Sequence, residues 1–239
     1  MNIWNSLPIV TKNIILLCAL MLLVTSVFPL LEPHLACYYY QSGDFRPWQL
    51  VTYMFMHANV FHLFFNMMGV LFFGGQVEYY WGARKFLNYF LVCGLGAVVL
   101  HQCWTAVEIH QLAQYVQPEN FAKLLEQGKE MRIASNHPDL PMLQRIFEVL
   151  NAPMVGASGG LFGIMIAFAV MFPNAEIYLL FFPFPVKAKY LITIFAVVEV
   201  FSGLSNSASD NVAHFAHLGG LLTGLIIVLV WRKRGKLFL

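Results

Sequence analysis

The chain is 239 residues long, 59% hydrophobic and 11% charged, with a net charge of +2, whereas an ordinary globular domain is about 25% charged. A soluble fold cannot hide that much apolar surface, and the composition excludes disordered and collagenous chains. The small net charge produces no field able to gather polyanions, which excludes a nucleic-acid partner.

Apolar runs at Asn13–Leu31, His57–Gly75, Phe86–Cys103, Ser158–Phe172, Ala188–Leu204 and Val212–Trp231 predict six membrane helices. The first lacks a basic leader and a small-residue cleavage site and is followed by further spans, so it reads as a retained span. The fourth is shorter than the ~20 residues of a full span and opens on glycines. Residues 104–155, between the third and fourth runs, form the one stretch of soluble character. Pro118 and Glu119 start a helix that ends near Gly128, and after Pro141 the residues Leu143, Ile146, Phe147 and Leu150 share a face. Both are expected to be amphipathic helices lying on the outer membrane surface. The expected fold is an all-α integral membrane bundle, one domain over residues 1–239. Cys18 and Cys93 fall inside apolar runs, so the four cysteines read as packing residues and not as a disulfide framework.

Lys12, Arg84, Lys85, Lys187, Lys189, Arg232, Lys233, Arg234 and Lys236 face the cytoplasm if the N-terminus is inside, nine of the fourteen basic residues. Of the other five, Lys123, Lys129, Arg132 and Arg145 share the long loop with six acids and weigh little. Both termini are therefore expected on the cytoplasmic side, and the membrane is expected to be a bacterial cytoplasmic (inner) membrane.

Polar side chains are costly in a bilayer and mark cavities or protein interiors. Here they cluster at His57, His62 and Asn66 in span two, Ser158 in span four, and His214 and His217 in span six. Spans two, four and six enter from the same side, so the three clusters share the outer leaflet. At ~1.5 Å per residue, His62 and His217 lie about 8 Å below their helix starts. His62 and Asn66 share one helix face, as do Gly159 and Gly163, and His217, Gly220 and Gly224. Small-xxx-small spacing lets membrane helices approach closely, which brings the short Ser158 side chain within reach of an imidazole.

A serine hydroxyl becomes a nucleophile when a neutral histidine accepts its proton. The unpaired N–H groups at the head of span four can donate to an oxyanion, with His62 and Asn66 adding side-chain donors. Ser158 and His217 are thus the candidate catalytic pair, and Ser158, His62 and Asn66 the candidate oxyanion hole. Gly156, Gly159, Gly163, Gly220 and Gly224 read as close-packing positions, His214 as a supporting or cavity-lining residue, and His57 as a structural group bonded to loop backbone. His101 and Glu199 read as packing or cavity residues. No cofactor or metal is called for.

The segments GASG around Ser158, His62-x-x-x-Asn66 and His217-x-x-Gly220-x-x-x-Gly224 resemble the motifs of rhomboid intramembrane serine proteases, and residues 46–78 resemble that family's first loop and second helix. The resemblance covers nearly the whole chain. It implies a six-helix bundle in which a Ser158–His217 dyad, without an aspartate, hydrolyses peptide bonds in or near transmembrane helices of membrane-protein substrates. Two departures are Trp48-Gln49 in the first loop and Glu78-Tyr79-Tyr80 after helix two, where the family often has Trp-Arg and Glu-x-Arg; both bear on scaffold contacts. Asp210 is expected in the loop before span six. The alternatives are an inactive rhomboid-like protein that binds membrane clients, and a haem or metal protein using His62, His214 and His217. A transporter ranks last, since no broken helices recur in two inverted halves.

Overall fold

A computed structural model describes residues 3–128, 137–178, 184–205 and 213–238. Among the described residues, five helices are long and apolar enough to cross a membrane: Ile9–Val27, Val60–Trp81, Ala83–Ala113, Ala188–Ser205 and His214–Lys233. With the shorter apolar helix Ser158–Met171 as the fourth in order, these are spans one to six of an all-α bundle. Asp210 and Val212 lie outside the described residues.

Several boundaries differ from the sequence reading for local reasons. Span one starts at Ile9, not Asn13, because the Glu78 carboxylate caps it, accepting from Val10 N at 2.8 Å, Thr11 N at 2.7 Å and Thr11 Oγ1 at 2.8 Å. It stops at Val27 because Pro29 disfavours helical backbone at Phe28, whose φ is −122°. Span two starts at Val60, so His57 lies in the preceding loop. Extended Asn59 caps the helix, its side chain accepting from His62 N at 2.8 Å. His62 and His217 therefore sit within the first turn of their helices, nearer the helix starts than expected. Gly82, with φ 75°, adopts a conformation that other residues resist, and this breaks the chain between spans two and three.

Span three runs on to Ala113 instead of ending at Cys103. Its C-terminal end is covered by two helices, Pro118–Gln127 and Leu140–Asn151. Their apolar residues Leu124, Leu143, Ile146 and Leu150 are buried with Tyr39, Ile109 and Val116 in a core of their own. The apolar faces expected on lipid are thus closed by protein, and Arg145 Nη2 adds an ion pair to Glu108 Oε1 at 3.1 Å.

Span four is the central post, touching spans two, three, five and six and buried around most of its girth, as a helix apolar on every side must be. Glycines allow the approach. A Cβ on Gly224 of span six would reach Gly163 Cα at 2.9 Å, and one on Gly163 would collide with Cys93 of span three. Tyr89 Oη donates to the Gly163 carbonyl at 2.7 Å.

The first loop is tied down by Trp48-Gln49, one of the two departures from the family pattern, and by a strand-like pairing. Gln49 is buried and donates to Pro33 O at 3.0 Å and Asp44 O at 2.9 Å, while Trp48 Nε1 donates to His34 O at 2.8 Å. Cys37 N donates to Met154 O and Met154 N to Cys37 O, at 2.9 and 2.8 Å, fixing the approach to span four. Cys18, Cys37 and Cys93 are buried free thiols and Cys103 is an exposed one.

Candidate active site

Ser158 is the first residue of span four, following Ala157 at the N-cap. Gly156, two residues earlier, has φ 130°, and its N–H is held by the Tyr53 carbonyl at 3.0 Å. A Cβ at Gly156 would lie 3.0 Å from both Cε1 and Nε2 of His62 and 3.5 Å from Ser158 Oγ. Gly156 is therefore glycine for two reasons, its backbone and the imidazole beside it, and it brings His62 next to Ser158.

The glycine faces bring spans four and six together, and Ser158 Oγ lies 2.8 Å from His217 Nε2. The plane of Phe162 stacks on the His217 ring, with centroids 4.5 Å apart and 8° between planes. This contact was missed by sequence reasoning, although Phe162 is four residues after Ser158 and so on its face. His62 Nδ1 accepts from Ala58 N at a long 3.5 Å, an arrangement that leaves the proton on Nε2, the edge facing Gly156. Asn66 is buried; its Nδ2 donates to His62 O at 2.9 Å and its Oδ1 has no partner. One of the two amide hydrogens of Asn66 is thereby left for a ligand. His62, Asn66, His101, Ser158, His214 and His217 all line one cavity of about 1110 Å³.

His57, in the loop before span two, is buried, with neither ring nitrogen in a hydrogen bond of full geometry and the Phe55 backbone as its polar neighbour. Its ring meets that of His62 edge-on at 5.1 Å. Burial, helped by the neighbouring His62, pushes its pKa down to about 4, so the imidazole is neutral and packs as an aromatic.

Glu199 of span five, expected as a packing or cavity residue, meets two imidazoles. Its Oε2 lies 2.6 Å from His214 Nδ1 and 2.9 Å from His217 Nδ1. Among the described residues, Glu199, His214 and His217 are the trio whose donor atoms converge closely enough for a cation; His62, expected in a metal set, is not part of it. Nothing in the sequence says which face of span five meets span six. The one available signal was the cost of a carboxylate inside an apolar span.

An apolar bundle of this kind belongs to the class of helical membrane proteins, here with a serine at hydrogen-bonding distance from a histidine beneath a cavity. The comparisons give the family: residues 44–112 and 140–234 match the Rhomboid domain, and the chain is a member of the rhomboid family. It is 29% identical over 197 residues to RHOMBOID-like protein 12, mitochondrial, of Arabidopsis thaliana, covering 82% of this chain and 48% of that protein. An uncharacterized mitochondrial rhomboid protein of Schizosaccharomyces pombe is 26% identical over 207 residues, 79% and 53% of the two chains. Rhomboid protease AarA of Providencia stuartii is 25% identical over 201 residues, 80% and 57%. The chain spans about half the length of these relatives. Since two are mitochondrial, the expected assignment to a bacterial inner membrane has no support from them.

Proposed function

We propose that this rhomboid-family membrane protein is an intramembrane serine endopeptidase acting on transmembrane or juxtamembrane segments of other membrane proteins. The observation that carries this reading is the 2.8 Å contact between Ser158 Oγ and His217 Nε2 at the head of span four. The neutral imidazole takes the Ser158 proton as Oγ attacks the scissile carbonyl carbon, and returns it to the leaving amine. The Ser158 amide, the His62 Nε2–H and the free Asn66 N–H supply the oxyanion donors, each worth about 10²–10³ in rate when fully used. Asn66, His62 and the loop before Ser158 converge on the same cavity, through which water reaches the acyl-enzyme. The distribution of basic residues supports an orientation with both termini on the cytoplasmic side and this cavity open to the opposite face.

The test is cleavage of a transmembrane reporter by the reconstituted chain, together with labelling by a fluorophosphonate. Ser158→Ala and His217→Ala are expected to abolish both while still inserting and folding. Normal cleavage by Ser158→Ala refutes the reading, and a folded parent that neither cleaves nor labels makes the chain a client-binding relative without activity.

A further inference from the structure

We infer that Glu199 is a positioning residue for the proposed protease, the third member of a Ser158–His217–Glu199 relay that the serine–histidine dyad alone does not provide. The inference rests on the protease reading and goes beyond it by assigning how the base is held.

Three spans supply three side chains in a line. Ser158 Oγ is 2.8 Å from His217 Nε2, and on the far side of the same ring Nδ1 is 2.9 Å from Glu199 Oε2. An imidazole that accepts the serine proton on Nε2 must carry its resting proton on Nδ1, and that is the nitrogen facing the carboxylate. The Glu199 and His217 side chains are only 14% and 13% exposed, so they interact with little screening by water. The Nδ1 contact is short but poorly directed, since Nδ1 has no partner of full hydrogen-bonding geometry. Catalytic hydrogen bonds are often misaligned without substrate and tighten in the complex.

His214 explains why the carboxylate stays in place. A glutamate with several rotatable bonds inside an apolar helix gains nothing by pointing at one ring unless it is anchored. His214 Nδ1, 2.6 Å from the same Oε2, is that anchor, one turn before His217. Gly203 supports the arrangement one turn along span five: a Cβ there would lie 2.9 Å from Phe215 and 3.2 Å from His214 Cβ. Phe162, stacked on His217, blocks rotation of the ring out of this line. In the chemical step the Ser158 Oγ–H bond breaks as the Oγ–carbon bond forms. The proton goes to Nε2, the carbonyl electron pair goes to the oxyanion, and Glu199 remains ionised opposite the new imidazolium. Its contribution is therefore largest in the transition state, where the ring becomes positive.

The experiment is steady-state cleavage of the transmembrane reporter by the full chain in liposomes, with folding checked by thermal unfolding. Glu199→Gln is expected to lower kcat by about 10²–10³-fold with KM within about twofold of the parent, the pattern of an interaction made in the transition state. Glu199→Asp, which keeps the charge, is expected to recover at least about tenfold of the loss. A folded Glu199→Gln that cleaves at the parental rate, while Ser158→Ala does not, overturns this assignment and leaves the protease reading standing. Equal loss in the folded Gln and Asp variants, or a loss confined to KM, also overturns it. If the Gln variant does not fold, the Asp variant decides: a lowered kcat with KM unchanged supports the assignment, and a parental rate or a loss confined to KM overturns it. A parent that loses activity to a chelator and regains it with zinc makes the same side chains a metal centre and overturns the relay.

Discussion

Gly220→Ala tests the claim that backbone contact between spans four and six sets the site geometry. An added Cβ would fall within the Gly159 carbonyl and lie 2.7 Å from Gly159 C and 3.0 Å from Gly159 Cα. Ordinary contact begins at 3.4 Å, and backbone, unlike a flexible side-chain end, cannot turn aside. The helices must therefore separate by about 1 Å, at a cost of about 1–3 kcal/mol for overpacking. Gly159 and Gly220 each lie within three residues of a member of the pair, so the separation passes almost undiminished to Ser158 and His217. Their 2.8 Å contact would open past the ~3.5 Å limit of a hydrogen bond. A misplacement of 1 Å costs about 10²-fold in rate. The assay is reporter cleavage with thermal unfolding in the same detergent. The control is Gly43→Ala, where a Cβ meets nothing within 4 Å. If Gly220→Ala cleaves and unfolds like the parent, the glycine contact does not set the site and the argument fails.

The remaining predictions concern the scaffold. Glu78→Ala removes the acceptor of two buried donors from Thr11 and a half-buried one from Val10, and is expected to destabilise the bundle by about 2–4 kcal/mol; unchanged resistance to denaturation would show that water replaces the carboxylate. Asp139 Oδ2 accepts from Asn120 Nδ2 at 2.9 Å and Gln117 N at 3.0 Å, and these bonds, Asn120 first, hold its pKa below the ordinary 3.8. A carboxylate lowered in the folded state stabilises above the ordinary value, and that support is lost as pH falls from there through the lowered value. Hydrogen-exchange protection of Pro118–Gln127 should therefore fall below about pH 4 in the parent, and the step should be missing in Asp139→Asn; identical profiles would refute the capping role.

Much of the fold could be read from hydropathy because a bilayer imposes one rule, that long apolar runs become helices. The errors fall where protein replaces lipid or water as a neighbour. Trp104 to Ala113 reads as loop because it is polar on one side, yet it continues span three because two outer helices cover it. Those helices were themselves recognised from Pro118, Pro141 and their apolar spacing. What spacing could not show is that Leu143 and Ile146 face Tyr39 and Ile109 instead of the membrane. Amphipathicity declares that a face will be buried and leaves open what buries it.

The site divides along the same line. Ser158, His217, His62 and the glycines could be read because each cluster repeats within one helix, and three helices of shared direction fix a common depth. Glu199 and Phe162 could not, since their roles depend on rotation of one helix against another. The short span four shows why depth matters. Its 14 residues rise about 21 Å, against a hydrocarbon core of ~30 Å. If the paired Glu176 and Lys187 that follow Met171 mark one interface, Ser158 would lie about 9 Å below the other. Unpaired N–H groups at that depth would be costly against lipid. The cavity above Ser158, lined by Arg145, Glu148 and Val149 of the Leu140–Asn151 helix, by Met154 and by span two, would relieve that cost. The Leu140–Asn151 helix and the first loop thus stand between Ser158 and the bilayer expected around it, and the truncated helix opens its free amides on the cavity they line.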